Sequence, residues 1–151
     1  MSALTRVLDP TSIAVVGASQ DQTKRGYRAV KNLQEGGYDG KIYPVNPNHD
    51  SKIMGLEVYS SVSSIPGQVD LVYIATPASV VVDILKECGD TDAAGAVIVA
   101  AGFSEVGQHD IEEQIETIAT ENDIRIVGPN ILGFVNNTSG IDLLGGYTMP
   151  D

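Results

Sequence analysis

The chain has 151 residues, 42% of them apolar, enough for one ordinary domain with a real core. Twenty acids against nine bases give a net charge of −11, the wrong sign for a general nucleic-acid binder, and no apolar run approaches the roughly 20 residues of a membrane span. One cysteine and two histidines exclude an internal disulfide and an ordinary structural zinc site.

In chain order, a short helix is expected near Leu4–Leu8, ending before Pro10. The first apolar β-rich run is Ile13–Gly17. A helix follows over 26–35, and Gly36-Gly37 is a left-handed stop. The second β run is Lys41–Val45. Residues 51–68 carry weak signals, and the one element they suggest is a short strand near Leu56–Tyr59. The third run is Leu71–Ala75. Thr76 and Pro77 read as N-cap and first position of a helix that runs to Cys88 and stops at Gly89. The fourth run is Ala96–Ala100. A helix over 109–121 sets Ile111, Ile115, Ile118 and Ala119 on one stripe, and the fifth run is Ile124–Val127. Runs one, three and four are almost wholly apolar, as strands covered on both faces should be. This alternation predicts an α/β fold: a Rossmann-like, doubly wound parallel sheet of about five strands, forming a single domain over residues 1–151.

The charge is uneven. Four of the nine bases, Lys24, Arg25, Arg28 and Lys31, fall within eight positions. Glu105, Asp110, Glu112, Glu113, Glu116, Glu121 and Asp123 come with no base among them, which reads as a solvated helix face. The acid excess, with only five lysines, is also what the high-salt cytoplasm of a halophilic archaeon would tolerate. No basic-then-apolar leader opens the chain, so a cytoplasmic location is expected.

Doubly wound sheets bind ligands beyond the carboxyl ends of their strands. Those ends here carry Gly17-Ala18-Ser19, Asn46-Pro47-Asn48, Thr76-Pro77, Ala101-Gly102-Phe103 and Gly128-Pro129-Asn130. The rim is small, polar and free of acids, which suits an extended anion lying on backbone amides. The first junction, Gly17 to Gly26, adds Lys24 and Arg25 at the start of a helix, where unpaired N–H groups and a partial positive charge favour phosphate. Ser19 and Thr23 add hydroxyls, and a side chain at Gly17 is expected to fill the space a phosphate needs. A G-x-G-x-x-G dinucleotide loop is missing, and Asn46 stands where NAD-binding units want an acid. NADP would relax that second requirement. No G-x-x-x-x-G-K-[ST] occurs, so a P-loop NTPase is excluded.

Taken together, Ser12-Ile-Ala-Val-Val-Gly-Ala-Ser19, Gly40-Lys-Ile-Tyr-Pro-Val-Asn-Pro47, Ala100-Ala-Gly-Phe-Ser-Glu105 and Gly128-Pro-Asn-Ile-Leu-Gly133 resemble the N-terminal CoA-binding domain of NDP-forming acyl-CoA synthetases. That family includes the ADP-forming acetate–CoA ligases and is related to the succinyl-CoA synthetase α-subunit. The resemblance spans nearly the whole chain. It implies that Gly17, Ala18, Ser19, Lys24, Arg25 and Gly26 surround the phosphates of coenzyme A. Val45, Asn46 and Pro47 then lie on the nucleotide side, and Ala75, Thr76 and Pro77 near adenine and ribose. Ala101, Gly102 and Phe103 follow the pantetheine, and Pro129, Asn130 and Ile131 come near the thiol. Many members have cysteine where this chain has Ile131.

The resemblance also implies partners: further domains or subunits carrying a phosphohistidine and an ATP-grasp site, with no nucleic acid and no membrane. His49 and His109 do not match the phosphohistidine and are expected to be structural, as is Cys88. No catalytic residue and no metal ligand is expected, and the chain by itself should hold CoA without turnover. Two other readings fit the residues: a stand-alone CoA-binding or acyl-CoA-sensing protein, and an NAD(P)-linked oxidoreductase or redox-sensor domain.

Overall fold

The computed structural model describes residues 2–48, 51–99, 109–129 and 131–144. Five parallel strands form one sheet: β1 (Ser12–Val16), β2 (Lys41–Val45), β3 (Leu71–Ile74), β4 (Gly95–Ile98) and β5 (Arg125–Val127), in the order β2-β1-β3-β4-β5. Four helices cover it: α1 (Ala3–Leu8), α2 (Arg25–Glu35), α3 (Ala78–Asp90) and α4 (His109–Glu121). Alternation along each strand divides the core. Ile13, Val15, Leu71, Tyr73 and Val97 face α1 and α2, with Val7, Ala29, Val30 and Leu33. Ala14, Val16, Val72, Ile74, Ala96 and Ile98 face the other way, onto Val81, Leu85 and Cys88 of α3 and Ile115 and Ile118 of α4. Every residue of β1, β3 and β4 is buried, whereas β2 and β5 are partly exposed edges. The expected doubly wound architecture is therefore present.

Strand order reverses between β1 and β3, the place where such sheets open a crevice at their carboxyl ends. The opposite, amino end of the sheet is closed by a polar latch. Arg6 Nε donates to Asp70 Oδ1 at 2.7 Å, and the Thr11 amide and hydroxyl donate to Oδ2 at 2.9 and 2.8 Å. The Ser12 hydroxyl accepts from the Asp70 amide at 2.9 Å. Burial works to raise the Asp70 carboxyl, but the Arg6 and Thr11 hydrogen bonds outweigh it and hold the group below the usual carboxylate range.

Several boundaries differ from expectation. α3 is capped at Pro77 rather than Thr76 and runs through Gly89 to Asp90, turning left-handed only at Asp92. Gly89 is small because α4's neighbour Asn122 packs on it: a Cβ there would meet Asn122 Oδ1 at 2.6 Å. The strand expected near Leu56–Tyr59 shrinks to two isolated bridges, Leu56 antiparallel with Ile53 and Tyr59 parallel with Val45. Pro44 has no N–H to continue a ladder on that edge, so its carbonyl accepts from Tyr59 and pairing ends there. One turn of 3₁₀ helix (Val62–Ser64) follows, stapled to α3 by Glu87. A small hairpin, β6 (Val135–Asn136) with β7 (Ile141–Asp142), packs its Ile141 beneath α2, and its two-residue strands carry no alternation to announce them.

Candidate functional site

The carboxyl ends of β1, β2 and β3 open into a cleft of about 480 Å³. Gly17, Val45, Asn46, Pro47, Thr76 and Pro77, all expected site residues, line it. Its far wall is one face of α3, and its floor includes Val62 of the 3₁₀ turn.

The loop beside the cleft, residues 17–26, is held by close backbone contacts at its two ends and by side-chain hydrogen bonds between them. Gly17 stands at φ +89°, and a Cβ on it would lie 2.4 Å from the Ala75 carbonyl oxygen. Gly26 is tighter still: its Cβ would lie 2.0 Å from the Gly17 carbonyl oxygen. Both glycines are therefore needed to bring α2 onto the end of β1 and β1 against the end of β3. A side chain at Gly17 would thus strain the turn and collide with the end of β3 at the Ala75 carbonyl, besides facing the cleft that Gly17 lines. Ala18 is buried, and its carbonyl accepts from the Asn46 side-chain amide at 2.9 Å. Asn46 also accepts from the Asn48 amide at 2.9 Å, so its side chain ties two loops together. The Ser19 hydroxyl accepts from the Asp21 amide at 3.0 Å. Hydrogen bonds from the Thr23 hydroxyl and amide hold the Asp21 carboxyl below its ordinary value.

Lys24 is the N-cap of α2 and its side chain makes no cap hydrogen bond, so among the described residues no side chain caps the first amides of that helix. Arg25 donates from its guanidinium to the Val99 carbonyl beyond β4, spanning the crest of the sheet. A guanidinium has five N–H donors, so this bond leaves others for an anion. Ala75 continues the β1–β3 pairing past Ile74: its amide donates to the Val16 carbonyl at 2.9 Å. Below the Arg25 side of the crest sits Tyr73, fully buried, with no partner for its hydroxyl among the described residues. Burial pushes that hydroxyl up to about 12, with Arg25 nearby pulling it down and Asp142 pushing it up.

The other expected residues are not gathered in the cleft. Pro129 follows a cis Gly128–Pro129 peptide and lines a separate hollow of about 690 Å³ between α4 and β5. Ile131 packs against the core on the α2 face. Ala101, Gly102, Phe103 and Asn130 lie outside the described residues, as do His49 and Glu105. Cys88 is buried, and desolvation followed by the Glu87 charge pushes its thiol up to about 12, so it is a packing residue. Among the described residues no group of His, Cys, Asp or Glu could hold a metal ion, and no helix is long and apolar enough to cross a membrane.

Sequence reasoning missed the α3 wall. Val80, Asp83, Ile84 and Glu87 all face the cleft. Their i, i+3, i+4, i+7 spacing marks one helical face, legible once the helix is known to start at the end of β3. It also missed Ser60 and Ser61, which stand in the stretch with the weakest signals.

Residues 11–137 match the family model described as a CoA binding domain. An ADP-forming acetate–CoA ligase of Methanocaldococcus jannaschii is 46% identical over 127 residues, which cover 84% of this chain and 18% of that protein. The α-subunit of ADP-forming acetate–CoA ligase I from Pyrococcus furiosus is 40% identical over 151 residues, covering 97% of this chain and 33% of the relative. The solved dinucleotide-forming acetyl-coenzyme A synthetase 1 of Candidatus Korarchaeum cryptofilum, in complex with phosphate and ADP, superposes with a TM-score of 0.90 at 38% identity, over 95% of this chain and 31% of that one. The chain thus spans between about a fifth and a third of the length of these relatives.

Proposed function

This chain belongs to the CoA-binding-domain family, and from that premise we propose that it is the CoA-holding module of an ADP-forming acyl-CoA synthetase. The observation that carries the reading is the join between the β1–β3 cleft and the uncapped start of α2. A cleft of about 480 Å³, with Val45, Val62, Val80 and Ile84 among its lining, takes the adenosine end of CoA. Adenine and ribose lie against Val45, Pro47, Thr76 and Pro77. The pyrophosphate crosses the crest and rests on the α2 amides, with Lys24 and Arg25 on either side. The pantetheine continues over the ends of β4 and β5, past residues 101–103, and brings the thiol toward Pro129, Asn130 and Ile131.

The chemistry of the whole enzyme then falls to other domains or subunits. Making a thioester from a carboxylate requires the carboxylate to be activated, which the family does with a nucleotide and a phosphohistidine. The described residues offer no nucleophile with a partnered base, and Cys88 is sealed in the core. This module contributes position: it converts the meeting of thiol and activated acyl group into a near-intramolecular step. Nucleic acid and membrane play no part, and the place of work is the cytoplasm, where the acid excess suits high salt.

Calorimetric titration tests the reading. CoA should bind the purified chain, NAD and NADP should not, and acid, CoA, ATP and magnesium together should yield no acyl-CoA. Binding of NAD in preference to CoA would make the domain a redox module instead. Losing one of these contacts should weaken CoA binding by about one to two decades, and replacing Lys24 and Arg25 together by alanine by about two to four, since charge-assisted bonds contribute roughly 1.5–3 kcal/mol each. Unchanged affinity in that double variant would sink the phosphate assignment.

A further inference from the structure

We propose that Asp83 makes the cleft indifferent to a 3′-phosphate on its ligand, so that dephospho-CoA binds as tightly as CoA. The inference rests on the reading above, in which the adenosine end occupies the cleft.

The two acids on the α3 wall are not equivalent. Glu87 is committed, because its Oε2 accepts from the Val62 amide at 2.9 Å and the Ser63 amide at 3.4 Å, holding the 3₁₀ turn in place. Asp83 is exposed at the cleft and has no hydrogen bond or ion pair among the described residues. No lysine, arginine or histidine among the described residues lines this cleft. The lysine on the same helix, Lys86, lines a different hollow, against α4. The basic cluster of the chain sits on α2, at the far side of the crest.

A site that recognises a phosphate dianion puts arginine, lysine or a helix N-terminus against it. Here the 3′-phosphate meets an unneutralised carboxylate instead. Like charges a few ångströms apart repel even in a solvated cleft, and the repulsion offsets whatever backbone contacts the phosphate gains. The same carboxylate can accept from a ribose hydroxyl. Dephospho-CoA offers hydroxyls at both C2′ and C3′, and CoA only at C2′. Charge and hydrogen bonding therefore act together to cancel any preference for the phosphorylated form.

The test is calorimetric titration of the chain with CoA and with dephospho-CoA, in wild type and Asp83→Asn, at about 0.1 M and 1 M salt. In the wild type the two dissociation constants should agree within about threefold. Asp83→Asn should tighten CoA by about threefold to tenfold while moving dephospho-CoA less than about twofold. The gain should fade at 1 M salt, where the screening length falls to about 3 Å. A purely structural role for Asp83 would move both ligands equally and ignore salt. Wild-type CoA more than about threefold tighter than dephospho-CoA overturns the proposal, as does an Asp83→Asn variant whose ligand ratio is unchanged. Failure of the wild type to bind either ligand overturns the underlying CoA assignment.

Discussion

The two ends of the sheet are built on opposite principles. At the amino end every polar group of the latch is matched: Asp70 takes three side-chain or amide donors from Arg6 and Thr11, and its own amide is taken by Ser12. At the carboxyl end, among the described residues, no side chain caps the start of α2 and Asp83 has no partner, and a cleft separates the strand ends. Satisfied groups contribute stability, and open ones contribute binding. The difference teaches that the two properties of this domain can be altered separately, except where the crest glycines join them.

That junction carries the largest expected effect. Gly17→Val introduces a β-branched residue at φ +89° and drives its Cβ to within 2.4 Å of the Ala75 carbonyl. Strain and overlap together should lower stability by about 3–5 kcal/mol and abolish CoA binding in the same variant. Chemical denaturation alongside titration measures both, and wild-type stability would show that the two strand ends need not be so close.

Breaking the latch should separate the two ends. Asp70→Ala strands Arg6 and the Thr11 amide and should cost about 3 kcal/mol, with CoA affinity unchanged. The contribution of Asp70 also has a pH signature. Its folded pKa lies below the unfolded value of about 3.9, so the stabilisation is complete above that value and lost as pH falls through the folded one. The stability gap between wild type and Asp70→Asn should therefore narrow only below about pH 4. A gap that closes near neutrality would mean that another group titrates.

The converse variant is Lys24→Ala. It should weaken CoA about tenfold, reduce the salt dependence of binding, and leave stability within about 0.5 kcal/mol. Lys24 caps α2 without a side-chain hydrogen bond, so its removal takes away charge and no structure.

The sheet was legible in the sequence because β1, β3 and β4 are buried on both faces and read as unbroken apolar runs. Their ends pointed to Gly17, Val45, Asn46, Pro47, Thr76 and Pro77, which do line one cleft. What sequence could not show was direction. Asn46 marks a strand end by position, yet its side chain turns back to Ala18 and Asn48. Arg25 reads as a phosphate ligand by charge, but one of its donors is taken by Val99. Gly26 reads as a close backbone approach to a ligand or to a neighbour, and which of the two it is becomes clear only in the fold, where the neighbour is the Gly17 carbonyl. Composition and spacing locate a residue along the chain; which neighbour it meets depends on how α2 and α3 settle on the sheet.

Tyr73 provides the smallest and most local test. Its ring belongs to the core on the α2 face, packed among Val15, Val97 and Leu143, and its hydroxyl has no partner among the described residues. A buried hydroxyl without a hydrogen bond loses its hydration and gains nothing in return. Tyr73→Phe keeps the ring and removes that penalty, so it should raise stability by up to about 1 kcal/mol. Burial pushes the folded Tyr73 hydroxyl up to about 12, above its ordinary value of 10.0. As pH rises past about 10, the unfolded chain releases this proton while the folded chain retains it, so the wild type loses stability that the variant keeps. The advantage of Tyr73→Phe over the wild type should accordingly grow between about pH 10 and 12. CoA affinity should not move, because Tyr73 faces away from the cleft that Val16 and Thr76 line. A loss of stability of more than about 1 kcal/mol at neutral pH would reveal a hydrogen bond worth keeping, and would place Tyr73 with the matched groups of the amino end rather than the open ones of the crest.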